Sequence, residues 1–444
     1  TPLDARFTNI ALEARRAGYD PVLFGYTDTS LDPRTLPEGD PRTMTYESVL
    51  PGFNAIVNDP LETGEPLEWG KWLADHGIDV PSSPLDLYGP EPGYPGADEH
   101  GSTWAPAQFP PELSETAFMT EKAMEWLTLH GDRPFFLHLS YVRPHPPRRN
   151  PVGYHDMYSA EQVGEFSGFA GPDEEAAFHP LNRALLTFPP TAAPRDPKER
   201  RQLRATYYGA QSEVDHHLGH LFGFLDSQGL AAKTLVVLTS DHGDMAGDHW
   251  LVEKCGYWDE SFHVPLVVRD PSPSADGTRG LVVDAPTESV DVAPTVLDWL
   301  GLPLPAQFDG WSLVPFVRTG AAPERWRGAA HWEWDMRHVR RRAAESYFGI
   351  PSEHCSLAVL RTEGAKYVQF AADPEVLPPL LFDLRADPGH TDNLLTSPGP
   401  AEEAVALHMA QEMLRWRARN LDRTLANCYL APGKGPVWWR DPWR

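Results

Sequence analysis

TLVVLTSDHGD, residues 234–244, runs through β-branched and aliphatic residues and then breaks into an acid, an imidazole and a glycine. A near-continuous apolar run without period-two alternation is the pattern of a strand buried on both faces, as in parallel sheets. Ligands of open α/β sheets lie beyond the carboxyl ends of the strands, so Ser240-Asp241-His242-Gly243-Asp244 falls where chemistry is expected. Two further loops leave apolar runs in the same way. Gly25-Tyr26-Thr27-Asp28-Thr29 follows PVLFG, and Arg143-Pro144-His145-Pro146-Pro147 follows PFFLHLSYV.

Outward from these runs the chain reads as α/β. FTNIALEARRA (7–17) is a short helix stopped by Gly18, and VPLVVR (264–269) is a second strand of the buried type. A helix is expected over about 115–130. A longer one over about 200–226 places Val214, Leu218, Leu221, Phe222 and Leu225 on one face. SVDVAPTVLDWLG is a helix closed by Gly301. Residues 35–112 and 148–200, rich in Pro, Gly and acids, read as long loops. After about residue 325 the texture changes. HWEWD, CSLAVLRT, KYVQF and LLFDL are short strands between turns, followed by an amphipathic helix near 402–418. The expected architecture is a mostly parallel sheet covered by helices over 1–325, with an α+β subdomain holding a small antiparallel sheet over 326–444. The tail VWWRDPWR carries three tryptophans in its last seven residues, which implies docking on its own subunit or on a neighbour.

Composition narrows the function. The 444 residues suggest two or three domains, and 41% hydrophobic with 23% charged residues is globular. The 46 prolines and 35 glycines cluster between apolar runs, as long ordered loops on a scaffold require. A net charge of −25 repels nucleic acid and anionic membrane alike, yet leaves room for a small anion held locally by a metal or a buried cation. No apolar run is long enough to span a bilayer. Cys255, Cys355 and Cys428 are too few and too scattered for a disulfide framework, and there is no glycosylation sequon; the default compartment is a reducing cytoplasm.

A carboxylate beside an imidazole at a strand end can hold a divalent cation. The carboxylate suits Ca²⁺, Mg²⁺ or Mn²⁺, and the imidazole tolerates Mn²⁺ or Zn²⁺. Taken alone, the same pair also serves as a salt bridge or cap. The downstream spacing sharpens it: Asp241-His242-Gly243, then Gly247-Asp248-His249, then Lys254. With AGYDPVLFGYTDT, PFFLHLSYVRPHPP, SFHVPLVV, SVDVAPTVLDWLG and KYVQF…LLFDLRADP…NLL in the same order, the chain resembles the sulfatase branch of the alkaline phosphatase-like superfamily. Within it the likeness is to the phosphonate monoester hydrolase/arylsulfatase group. GYTDT in place of the G-K-W-H stretch of typical sulfatases favours the phosphonate- and phosphodiester-hydrolysing subgroup.

The resemblance implies one divalent ion (Ca, Mn or Mg) with Asp241 and His242 among its ligands. It implies a role for Lys254 on the nucleophile and the substrate's non-bridging oxygens, for His145 on the leaving group, and for Tyr26 in the active site. Arg143, Thr27 and Asp28 are candidates for holding substrate, although Arg143 serves equally as a structural ion pair. Asp28 stands where some relatives have threonine; either it turns away from an anionic substrate or the preference differs. The implied partners are a small anionic ester and, as in related enzymes that form tetramers, further copies of the chain. These roles agree with what ester hydrolysis needs: a Lewis acid, a fixed cation in a water-poor pocket, and a general acid at the leaving oxygen.

The attacking group is another matter. In this family it is a formylglycine made from the cysteine of a Cys-x-Pro-x-Arg motif. Cys255 is followed by GYWD, Cys355 by SLAV and Cys428 by YLAP. In relatives that motif, and a first strand with further metal-binding acids, precede the segment matching TPLDARFTNIALEARRAGYD. The chain is therefore expected to be an N-terminally truncated record or a mature fragment, inactive alone. Two alternatives stand beside the broad ester hydrolase: a narrow arylsulfatase, and a folded product acting only as a binding or assembly partner. His216 and His220, at i and i+4, lack the glutamate of the zinc motif H-E-x-x-H and are assigned to helix packing. Asp244, Asp248 and His249 stabilise the loop or touch ligand, and HVRRR (338–342) is a solvated turn.

Overall fold

The structure is a computed structural model that describes all residues except 1–3, 5, 39, 41–46, 61–66, 339–340, 422–427 and 439–444. The end of the tryptophan-rich tail and part of HVRRR thus lie outside the described residues. The chain first runs through α1 (Ile10–Arg16), β1 (Pro21–Phe24), β2 (Asn54–Val57), α2 (Glu68–Asp75), α3 (Glu115–His130) and β3 (Phe136–Leu139). It continues with α4 (Pro172–Phe178), α5 (Pro180–Thr187), α6 (Pro197–Ser227), β4 (Val236–Thr239), α7 (Asp259–Phe262), β5 (Leu266–Arg269), α8 (Val292–Trp299) and α9 (Val314–Thr319). Last come β6 (Ala329–Asp335), α10 (Ala343–Phe348), β7 (Ser356–Thr362), β8 (Ala365–Phe370), β9 (Leu380–Asp383), α11 (Pro400–Arg419), β10 (Cys428–Ala431) and β11 (Gly435–Trp438). The chain divides into two compact units, one of 1–164, 196–234 and 300–302, the other of 165–195, 235–299 and 303–444. This division differs from the expected break at 325, because the C-terminal sheet packs with the segment that follows β4.

In the first unit β1 is central to a parallel sheet ordered β2-β1-β3, with Leu23 opposite Ala55 on one side and His138 on the other. All four residues of β1 are buried, as its unbroken apolar sequence predicts. Its α1 starts where Asn9 Oδ1 accepts from the Ala11 and Leu12 amides; α3 starts at Ser114, whose Oγ accepts from Ala117 N, and α6 at Asp196, followed by a proline. Val22, Phe24, Trp69, Trp72, Phe118 and Met119 form the core. The expected loop 35–112 contains β2 and α2; β2 (NAIV) escapes a reading by hydrophobicity because three of its four side chains are exposed.

In the second unit β4 and β5 pair antiparallel, Val237 opposite Val268. This corrects the reading of 234–244 and 264–269 as parallel strands buried on both faces: Val236, Val237 and Leu238 are half-buried and Val267 is exposed. The loop expected over 148–200 contains α4 and α5. The C-terminal sheet is antiparallel as expected, ordered β6-β7-β8-β9, and period-two alternation gives it two apolar faces. Ala358, Leu360, Tyr367 and Leu381 pack on Met409 and Met413 of α11. Val359, Val368, Phe370 and Phe382 pack on Met245, Leu251, Tyr257 and Trp258. The small sheet is therefore the floor beneath residues 245–258. Among the described residues no helix is long and apolar enough to cross a membrane.

Candidate active site

In the first unit the chain leaves β1 through Gly25, at φ +104°, where a Cβ would lie 3.0 Å from the Ser140 carbonyl oxygen. Glycine is needed here for both reasons. Tyr26 is half-buried and Asp28 exposed. Thr27 is tied to the backbone: its Oγ1 donates to Ser48 O (2.7 Å) and accepts from Leu50 N (2.9 Å), so its hydroxyl shapes the loop. Beyond β3, His145 Nδ1 lies 2.9 Å from its neighbour's carbonyl, Pro146 O. A carbonyl only accepts, so the proton sits on Nδ1 in the neutral ring and Nε2 carries the lone pair.

Arg143 is buried and braces the same loop. Its Nη1 donates to Pro147 O (2.7 Å) and its Nη2 to Arg149 O, the guanidinium lies over the Tyr88 ring, and Nε stands 3.9 Å from Glu213 Oε2. Of the two roles open to it, this geometry favours the structural ion pair. His145 and Arg143 share a small cleft with Trp69, Leu85, Tyr88 and Glu115. Glu115 carries no motif, and only the fold reveals it. Burial, reinforced by the charge of Asp59, pushes its carboxyl up to about 8; burial likewise pushes Asp59 up to about 6.

In the second unit β4 ends at Ser240, whose Oγ donates to His242 O (2.7 Å) and closes the turn. Asp241 Oδ1 accepts from His242 N (2.9 Å), and His242 Nδ1 lies 2.8 Å from Gly243 O. The Nδ1 proton is therefore committed, and Nε2, with its lone pair, stands 3.3 Å from Asp241 Oδ2. Two electron-pair donors thus lie side by side, the tautomer fixed by a backbone carbonyl as ligating histidines require. Gly243 comes next because a Cβ there would meet Glu260 O at 2.0 Å. The pair fits a divalent ion, but as part of a shell: among the described residues no cluster of three or more His, Cys, Asp or Glu is set to hold a metal.

Lys254 closes a loop held in unusual backbone. Ala246, His249, Trp250 and Glu253 all have positive φ, a conformation costly for residues with a Cβ and concentrated where function over-determines the chain. The surroundings supply that determination. Asp248 Oδ1 accepts from Ser167 N (2.6 Å) and Trp250 Nε1 donates to Phe169 O (3.0 Å). The buried His249 ring meets Glu175 at 3.1 Å, and Asp244 Oδ1 accepts from Ala246 N (2.7 Å). Asp244, Asp248 and His249 thus do the loop-stabilising work. From below, the fully buried Lys366 donates to Tyr257 O (3.1 Å) and pairs with Asp259 Oδ1 (2.6 Å), while Arg361 holds Asp259 Oδ2 (2.9 Å). Burial alone would raise Asp259, but the two cations hold its carboxyl below the usual range. Lys254 itself is 40% exposed, with Nζ 3.8 Å from Glu253 Oε2.

The histidine trio of α6 shows no metal chemistry of this kind. His216 and His220 are exposed with ring centroids 4.4 Å apart, and burial followed by their charge lowers His217 to about 4.

Comparison with known proteins identifies the family. The sulfatase family pattern matches residues 1–302, and that of the N-sulphoglucosamine sulphohydrolase C-terminal region matches 247–419. The multifunctional alkaline phosphatase superfamily protein PehA of Trinickia caryophylli is 39% identical over 97% of this chain and 83% of its own length. An arylsulfatase of Clostridium perfringens is 28% identical over 74% of this chain and 61% of its own. Among solved structures, the phosphonate monoester hydrolase of Agrobacterium radiobacter superposes with a TM-score of 0.89 at 39% identity, covering 99% of this chain and 86% of that one. The chain belongs to the sulfatase family of alkaline phosphatase-like hydrolases acting on ester bonds.

Proposed function

We propose that the protein serves metal-dependent hydrolysis of phosphonate monoesters, sulfate monoesters or phosphodiesters. The observation that carries this is the pairing of Asp241 Oδ2 with the His242 Nε2 lone pair at the end of β4. A divalent ion held there, Ca²⁺, Mn²⁺ or Mg²⁺, supplies Lewis-acid stabilisation to the ester's non-bridging oxygens. Lys254 adds a fixed positive charge to the same oxygens. His145, once protonated at Nε2 with its Nδ1–H still on Pro146 O, would deliver that proton to the leaving oxygen, an effect worth about 10²–10⁴-fold, and Tyr26 with Asp28 would line the substrate. The phosphonate and phosphodiester side is favoured by GYTDT and by the 39% identity to a phosphonate monoester hydrolase.

The attacking group in this reading is a formylglycine, and none of Cys255, Cys355 or Cys428 stands in a Cys-x-Pro-x-Arg motif. Cys255 and Cys355 are buried free thiols, which suits a reducing cytoplasm. Catalysis by the family route needs a nucleophile that these 444 residues do not supply. The chain on its own is expected to turn over neither an aryl sulfate, a phosphonate monoester nor a phosphodiester sharing one leaving group. Expressed with a segment bearing the motif, it is expected to hydrolyse the phosphonate faster than the sulfate. A faster sulfate would favour the narrow arylsulfatase, and turnover by the chain alone would overturn the nucleophile assignment. Self-association is part of the reading, supported by apolar surface on α11.

A further inference from the structure

Three carboxyl groups and a single guanidinium are buried together beside His145. Asp59 follows β2, Glu115 opens α3, Glu213 lies in α6 and Arg143 follows β3, and all four are at most 4% exposed. Arg143 stands 3.9 Å from Glu213 and spends two of its nitrogens on Pro147 O and Arg149 O. Lys71 also draws on Asp59, but from an exposed position, and Glu68 acts on the same group with the opposite sign. Among the described residues neither oxygen of Glu115, neither oxygen of Glu213 and not Oδ2 of Asp59 has a hydrogen-bond partner. A buried carboxylate left this way is costly, and the usual remedy is to keep a proton. Glu115 does so, its carboxyl raised by burial and then by the charge of Asp59 to about 8. Near neutral pH that proton stands where a positive charge would serve as well.

Glu115 is also the member of the set that, with Arg143, lines the cleft shared with His145. The cleft has room for one group about the size of a water molecule, and Leu85, Val142 and Pro147 give it apolar sides. A group matched to this place is small, positively charged and rich in donors, on a short aliphatic stem. A primary ammonium has those properties. A hydroxyl matches in size but brings no charge, whereas a guanidinium or a quaternary ammonium is too wide. The Trp69 and Tyr88 rings, also in the lining, suit a cation, although Arg143 already lies over Tyr88. A metal is a poorer match, since among the described residues no three such ligands are set to hold one.

We infer that this cleft binds a primary ammonium group carried on the alcohol arm of the ester substrate, with Glu115 as its counter-charge. Assigning the arm to the leaving alcohol rests on the proposed role of His145 at the leaving oxygen. The ammonium site itself does not, so either can fail alone.

Methylammonium chloride is the probe for the site, titrated into the full chain by calorimetry in buffers of different ionisation heat. Saturable binding is expected at pH 7 with release of about one proton, and the affinity should rise about tenfold between pH 6 and pH 7. Potassium and tetramethylammonium chlorides are expected to give neither. Glu115→Gln should remove both the binding and the proton release while its circular dichroism stays that of the parent. The parent alone supplies an independent reading. With labelled glutamate, the Glu115 carboxyl carbon should titrate near 8, and at least one pH unit lower under saturating methylammonium. For the arm, 2-aminoethyl methylphosphonate should bind the full chain about tenfold or more tighter than propyl methylphosphonate, as a charged hydrogen bond supplies. No saturable binding, an equal response to potassium, or a Glu115 carbon that does not move overturns the site. Methylammonium binding with no preference between the two esters overturns the substrate assignment.

Discussion

TLVVLT (234–239) and SLAVLRT (356–362) have nearly the same composition, and both form strands, but their surroundings are opposite. In β7, Leu357, Ala358, Val359 and Leu360 are all buried, with β6 and β8 on its two edges, α11 on one face and residues 245–258 on the other. In β4 no residue is buried, and among the described residues β5 is the strand that pairs with it. An apolar run dictates a strand; what is laid on its edges and faces dictates burial. The difference also separates two kinds of work. The C-terminal sheet is a support that fixes the Lys254 loop from beneath, while β4 is a stem that presents Asp241 and His242 at its end.

The comparison can be broken most forcefully at the support. Lys366→Met removes one of the two cations that hold the partly buried Asp259 and is expected to cost about 3–5 kcal/mol, as when one member of a buried ion pair is deleted. Hydrogen exchange should then quicken in residues 253–259; unchanged protection there would separate the sheet from the loop. Next in size, Leu360→Ala is expected to cost about 2–5 kcal/mol in chemical denaturation. Val237→Ala in β4 should stay within about 1 kcal/mol, since its side chain is only half-buried. Equal losses would mean that the two strands are equally enclosed.

The pH-dependent effect lies in the first unit. Glu115 has its carboxyl raised to about 8 when folded, against about 4.5 when unfolded. Between those values the folded chain holds a proton that the unfolded chain has lost, so this group's contribution to stability is full below about 4.5 and falls as pH rises to about 8. Glu115→Gln should flatten the decline of the melting temperature across that window. A decline of undiminished slope would place its origin elsewhere.

Much of this was legible in the chain itself. The helices expected over about 115–130 and 200–226 and the short C-terminal strands between turns are local signals, and the structure obeys them. The Asp241-His242-Gly243 turn was legible too, because a short spacing encodes both the donors and the glycine that lets Glu260 approach. What the sequence hides is set by tertiary contact. β2 has no apolar period because it is an edge strand, and α4 and α5 are short helices whose signal is masked by the prolines and acids around them. Glu115, Asp59 and Glu213 look like ordinary surface acids until the fold buries them. Arg143 reads equally as clamp or brace until its donors are seen on Pro147 O and Arg149 O.

Asp241 and His242 are proposed as a metal-binding pair, and imidazole resonances report on that pair directly. In a sample of the full chain with labelled histidines, small additions of Mn²⁺ should broaden the His242 signals first among the 18 imidazoles, and Asp241→Asn should abolish that selectivity. Signals of His216 and His220 broadening first, with those of His242 left sharp, would contradict the assignment.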